Sequence, residues 1–328
     1  MLSNHIAEAL RNSGHRLLVT GASGWLGKAT IDLLHGALGQ QFHDRVLCFG
    51  STQRTLTLPD SGTIDQYPLE ELGNLQSTPS LLLHFAFLTK DRAEEMDEAD
   101  YRAANGKIGQ VVLDCADRIG VEAAFVASSG AAALADSVNA SAAMRLYGSL
   151  KRDAEDAFAD WAQSQDKRLV LARIFNLSGP HINKLGSYAL ASFIVDALAG
   201  GPILVRAPHG VVRGYVAVRE LMSLAFGLLL RSDVGIIRFD SGGEPVELGA
   251  LAETVAAQFG GCSIERPERV PGEDRYLGDA AAYRLLLREE GIESMPLAQQ
   301  IADTAAFLSQ RPALLRDRFC RRNSANAD

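Results

Sequence analysis

A chain of 328 residues can form one large domain or two unequal ones. With 47% hydrophobic and 22% charged residues, it has the make-up of a globular rather than a disordered protein. A formal net charge of -8 without a sustained basic run excludes a broad polyanion-binding face, so nucleic acid is not an expected partner.

The opening "MLSNHIAEALRNSG" lacks the basic-then-apolar pattern of a signal segment. The first apolar run, "RLLVT" (16–20), leads directly into "GASGWLG", which places Gly21, Gly24 and Gly27 at the start of the helical pattern "GWLGKATIDLLHGAL". Glycines also mark turns that bind nothing, so the context decides. Strand, glycine turn and helix in this order aim helix-end N–H groups at a pyrophosphate. Gly21 then permits the tight turn, Gly24 the close approach of phosphates, and Gly27 the packing of helix on sheet.

The second run, "RVLCFG" (45–50), lacks a terminal acid that would bind adenosine ribose hydroxyls and continues instead into "STQR". Ser51, Thr52 and Arg54 suit a 2'-phosphate better, which favours NADP and leaves NAD open. Three further runs follow, "SLLLHFA" (80–86), "AAFVASS" (123–129) and "RLVLARIF" (168–175). All five are nearly continuously apolar, as strands covered on both faces are. Their alternation with helical stretches predicts an α/β fold, a Rossmann-type doubly wound parallel sheet, with residues 1–178 as the dinucleotide-binding domain.

Two long helices are predicted inside this region, one over about 97–118 and ended by Gly120, the other over 142–165 with an apolar stripe of Tyr147, Leu150, Ala154, Phe158 and Trp161. On the second, Tyr147 and Lys151 stand four residues apart and share a face. An ammonium beside a phenol favours phenolate, so a lowered tyrosine pKa is expected for proton exchange with a substrate oxygen. Ser128 and Ser129 close the run at 123–129, at the carboxyl end of a parallel strand, where ligands bind.

After "SGP" (178–180) the alternation weakens. Helical "SYALASFIVDALAGG", a strand "VVRGYVAV" and helical "RELMSLAFGLLLRS" predict a smaller substrate-binding region over 179–315, with some strands returning to the main sheet. A polar tail, 316–328, is expected to fray. The run "LMSLAFGLLL" is too short for a membrane span, so a cytoplasmic protein is expected. Cys48, Cys115, Cys262 and Cys320 are scattered and the seven histidines do not cluster, so no metal site is predicted.

These motifs together resemble the extended short-chain dehydrogenases/reductases of the NAD-dependent epimerase/dehydratase group, most of which act on nucleotide-linked sugars. The resemblance runs from "TGASGWLG" to "AAYRLLLREEGIES". It also takes in "LLLHFAFLT", a strand passing the cofactor, and "YRAANGKIGQVVLDCA", with Asn105. Through "ARIFNLSGP" the resemblance implies that Asn176 approaches a substrate diphosphate, and through "VRGYVAVREL" that Arg213 binds a nucleotide phosphate.

The resemblance implies that Ser129 orients the substrate oxygen, Tyr147 acts as acid or base, and Lys151 holds the nicotinamide ribose. It implies cofactor contacts at Gly21, Ser23, Gly24, Trp25, Leu26, Gly27, Ser51, Arg54, Ala86, Phe87, Asn105 and Ile174 as well as at Tyr147 and Lys151. Substrate contacts are implied at Ser129, Asn176 and Arg213. Seven parallel strands and a homodimer through the two long helices are implied too. The chain departs from the family pattern in lacking the second-strand acid, in Phe87 where a small residue is common, and in Arg219 where aspartate is usual.

Ser129 is followed by Gly130 and Ala131, without the acids that assist elimination of water. The expected reaction is therefore NADPH-dependent reduction of a keto group on a nucleoside-diphosphate-linked 4-keto-6-deoxy sugar. The alternatives are a nucleotide-sugar epimerase with tightly held NAD(P), an NADPH carbonyl reductase of a non-nucleotide substrate, and a non-catalytic nucleotide-sensing protein.

Overall fold

Chain order gives helix α1 (Asn4–Ser13), strand β1 (Arg16–Thr20), α2 (Trp25–Leu38), α3 (Phe42–Arg45), β2 (Val46–Gly50), β3 (Arg54–Leu58), β4 (Gly62–Pro68) and β5 (Ser80–His84). Next come α4 (Lys90–Glu95), α5 (Glu98–Ala116), β6 (Val121–Ser129), α6 (Ala142–Ser164), β7 (Arg168–Ile174) and β8 (Asn176–Ser178). The remainder holds α7 (Ala189–Leu198), β9 (Ile203–Leu204), β10 (Gly210–Ala217), α8 (Val218–Leu229), β11 (Gly235–Asp240), β12 (Pro245–Glu247), α9 (Leu248–Gln258), β13 (Ile264–Glu265), β14 (Glu273–Tyr276), α10 (Ala280–Glu289) and α11 (Leu297–Ser309). The computed structural model describes residues 1–311. The tail expected over 316–328, Cys320 and the end of the region expected to reach 315 lie outside the described residues.

Among the described residues, one eight-stranded sheet has the order β11-β7-β6-β5-β1-β2-β4-β3. Seven of its strands are parallel, and β3 lies antiparallel to β4 at one edge. The five apolar runs became β1, β2, β5, β6 and β7 because helices cover both faces. Leu17 and Val19 of β1 face a core with Ile31 and Leu34 of α2 and Phe226 of α8, whereas Leu18 faces Val112 of α5 and Phe158 of α6. Asp97 and Ser141 cap α5 and α6, their side chains accepting from the backbone N–H of Ala99 and Met144.

The β3–β4 hairpin was not predicted, and β11 was expected only as an unlocated strand returning to the main sheet. "RTLTL" in β3 exposes alternate residues, as an edge strand does, so it lacks the continuous apolar run of the others. Strand β11 returns from beyond residue 178 to pair with β7. The strand predicted at 211–218 is β10, which belongs to a second sheet with β8, β12 and β14. This sheet packs with α7, α9 and α11 around a separate core that includes Phe193, Leu251, Ile301 and Leu308. Trp25 bridges the two parts, donating from Nε1 to Pro180 O at 2.7 Å and packing on Tyr188 at 5.3 Å. No helix among the described residues is long and apolar enough to cross a membrane.

Candidate active site

The glycine turn joins the end of β1 to α2. Gly21 has φ +70°, and a β-carbon there would lie 2.6 Å from Ala86 N, inside the loop that leaves β5. At Gly27 it would lie 2.4 Å from Gly21 O, so only glycine lets α2 approach the turn. At Gly24 it would meet only Gly21 O, at 3.2 Å. Gly24 is also the N-cap of α2, and no side chain caps this end, so its first N–H groups remain available to an anion. The turn therefore fits a dinucleotide pyrophosphate. Ser23 lies in the turn, and Leu26 packs on the core from the first turn of α2.

Beyond β2, Ser51 and Thr52 are exposed, and Arg54 donates to Thr52 Oγ1 at 2.8 Å. Of the three polar groups named at this strand end, Arg54 and Thr52 are joined by this bond, and Ser51 stands exposed beside them. The loop after β5 carries Ala86 and Phe87 past the glycine turn. Asn105 and Tyr101 hold it: Leu88 N–H donates to Asn105 Oδ1 at 2.8 Å and the Tyr101 hydroxyl to Leu88 O at 2.6 Å. Asn105 thus acts on the loop, with its own amide donating to Tyr101 O at 3.2 Å.

Ser128 and Ser129 are separated by the alternation of β6. The Ser128 hydroxyl is buried and donates to Glu155, whereas Ser129 accepts from Ala131 N–H at 3.2 Å and lines a cavity of about 310 Å³. Tyr147, Arg213, Lys90, Asp274 and Tyr276 also line it. Ile174 pairs with Ser129 across β6 and β7. Asn176 stands outside the cavity lining, with its amide donating to Gly214 O at 3.3 Å. Arg213 reaches the cavity but is engaged, donating to Asp274 Oδ2 at 2.5 Å.

Lys151 is buried and donates to Ala127 O at 2.7 Å, with its Nζ 5.9 Å from the centre of the Tyr147 ring. Burial pulls its pKa down to about 7, against the opposing charge of Glu155 one turn on. Burial likewise pushes the Tyr147 phenol up, opposed by a hydrogen bond with Ser129. This corrects the expected lowering: the lysine points to a backbone carbonyl, and desolvation of the phenolate is the largest influence on the phenol.

Two groups at the site gave no sequence signal. The Tyr276 hydroxyl meets Ser129 and the Ala131 backbone while its ring packs on Phe175 at 4.7 Å. Glu155 is buried under α6 and held by Arg173, which donates to it at 2.7 Å. Tyr276 sits in charged "GEDRY", with no apolar pattern to mark it. Among the described residues, no group of three or more His, Cys, Asp and Glu could hold a metal ion.

A parallel sheet with a glycine turn after its first strand, and with a strand-end serine near a helical Tyr-x-x-x-Lys, defines the extended short-chain dehydrogenase/reductase class. The chain belongs to the NAD dependent epimerase/dehydratase family, whose family model matches residues 17–236. A UDP-glucuronic acid decarboxylase from Arabidopsis thaliana is 29% identical over 139 residues, 42% of this chain and 40% of that protein. The match thus spans two fifths of the relative's length.

Among solved structures, an epimerase from Methanothermobacter thermautotrophicus superposes with a TM-score of 0.72 at 17% identity, over 95% of this chain and 97% of the other. A dTDP-glucose 4,6-dehydratase from Streptomyces venezuelae, solved with NAD bound, has a TM-score of 0.66 at 19% identity over 91% and 98%. These likenesses establish the shared fold.

Proposed function

We propose that the chain is an NADPH-dependent reductase of a keto group on a nucleoside-diphosphate-linked 4-keto-6-deoxy sugar. The observation that carries this reading is the cavity lining, where hydroxyls of Ser129 and Tyr147 stand near Arg213 and the one carboxylate among the described lining residues, Asp274, is paired with that arginine. Among the described lining residues, no other acid is placed to assist elimination. Position 130 cannot supply one, since a β-carbon on Gly130 would lie 2.5 Å from the Phe175 ring.

When bound, NADPH supplies the hydride. Tyr147, which burial keeps protonated at neutral pH, gives its proton to the substrate oxygen. Ser129 donates a hydrogen bond to the same oxygen as negative charge develops on it. Lys151 holds the nicotinamide ribose. Arg213 would exchange Asp274 for the substrate diphosphate, and Asn176, outside the cavity lining, would have to release Gly214 O to join it; this would anchor a part of the substrate that does not react.

Gly21, Ser23, Gly24, Trp25, Leu26 and Gly27 would hold the cofactor, with Ala86, Phe87, Asn105 and Ile174 beside it. Ser51 and Arg54 would take its 2'-phosphate. The separate core beyond residue 178 supports a division into a dinucleotide-binding domain and a substrate-binding region, and α5 with α6 supplies a homodimer interface. The sugar nucleotides in the relatives' names support the substrate class.

Tyr147→Phe retains the ring and removes the proton donor. The expected result is unchanged NADPH affinity with turnover reduced by about 100-fold or more, followed as NADPH oxidation with a panel of nucleotide-linked keto sugars. Full turnover in this variant overturns the mechanism. Nucleotide that co-purifies in stoichiometric amount, with sugar conversion needing no added reductant, replaces reduction with epimerisation.

A further inference from the structure

Phe87 lies on the loop between β5 and α4, and both members of the Tyr147–Lys151 pair touch its ring. The Lys151 Nζ sits over the ring face, 3.9 Å from its centre. The Tyr147 ring meets it edge to face, with centres 5.8 Å apart and planes at 79°. The loop itself is fixed on both sides of Phe87, because Ala86 N–H donates to Thr20 Oγ1 at 3.4 Å and Leu88 is clamped by Asn105 and Tyr101. Phe87 therefore has a defined place.

A buried ammonium has three N–H donors to satisfy. One goes to Ala127 O. Of the ionisable groups facing Lys151, Glu155 on α6 is engaged by Arg173 from β7 and by Ser128, and Tyr147 is a protonated phenol. His84 from β5 shares a hydrogen bond with Thr20, and burial keeps its imidazole neutral, with a pKa of about 3. The Phe87 face is then the second partner of the ammonium, through the attraction of a cation for a ring quadrupole.

We propose that Phe87 is a positioning residue, whose ring face fixes the Lys151 ammonium beside Tyr147 and leaves one N–H of that lysine for a ligand hydroxyl. This rests on the reading of Tyr147 and Lys151 as the reactive pair. The ring has two opposed effects on Lys151: it excludes water, which favours the free amine, and its face attracts the cation, which favours the ammonium. Phe87→Ala admits water and removes the face. Phe87→Leu keeps water out and removes only the face. Phe87→Tyr keeps both.

The test is competitive labelling of Lys151 by trace acetic anhydride across pH, read by mass spectrometry on the full chain, with and without NADP. The labelling midpoint of Lys151 is expected to rise by about one unit in Phe87→Ala and fall by about one unit in Phe87→Leu, with little change in Phe87→Tyr. A plain packing role moves Ala and Leu the same way or not at all, and either result overturns the proposal. NADP is expected to protect Lys151 from labelling in the unaltered protein. Opposed midpoint shifts without protection sink the nucleotide-site reading and uphold the role of Phe87, whereas protection without opposed shifts sinks only the latter.

Discussion

Arg54 begins β3 where the chain leaves the tip of β2, and it uses one of its five N–H donors on the Thr52 hydroxyl at an exposed position. The planar fork is left free to take a phosphate through paired hydrogen bonds. A hydrogen bond to a charged group contributes about 1.5–3 kcal/mol, so Arg54→Ala should weaken NADPH roughly 10- to 100-fold and leave NADH within about twofold. Titration by protein fluorescence measures both affinities, and equal losses would undo the cofactor preference. Tyr147 and Lys151 were legible because one helix carries them four residues apart. Tyr276 was not: its meeting with Ser129 joins strands nearly 150 residues apart, and only the folded chain brings them together. The direction of the tyrosine shift was also illegible, since sequence spacing records the charge of Lys151 but not the water removed around the phenol.

Turn and helix at residues 21–38 work as one element, and the glycines within it are not equivalent. A methyl at Gly27 must displace α2 from the Gly21 carbonyl, whereas at Gly36 the nearest atom of those compared is the Met1 side chain at 3.9 Å. Overpacking of this kind costs roughly 1–3 kcal/mol, so Gly27→Ala should lose that much in urea unfolding and lose nucleotide affinity with it. Gly36→Ala should gain up to about 1 kcal/mol from helix propensity. Equal effects at the two sites would show that the turn does not fix the helix. This element was plain in the sequence because its glycines, its apolar run and its helical period agree. The β3–β4 hairpin was not, because an edge needs only alternate apolar residues, and the position of the returning strand β11 was not either, since its "GIIRFD" mixes buried and exposed positions.

Helices α5 and α6 cover one face of the sheet and leave an outer surface that none of the described residues covers. On α5 this surface holds Ala99, Ala103, Gly106 and Gln110, a stripe repeating every three or four residues. Gly106 lies mid-helix, and a β-carbon there would meet no atom within 4 Å. A solvent-facing helical glycine costs about 1 kcal/mol relative to alanine, and no contact among the described residues offsets that cost. The proposed homodimer would give it a use, the close approach of a second copy. If the homodimer forms through this face, Gly106→Ala should raise the stability of the helix yet weaken association, and Gly106→Arg should give monomers with an unchanged far-ultraviolet circular dichroism spectrum. Analytical ultracentrifugation across a dilution series separates the two effects. A monomeric unaltered protein, or a Gly106→Arg variant that dimerises as tightly as the parent, excludes this face as the interface.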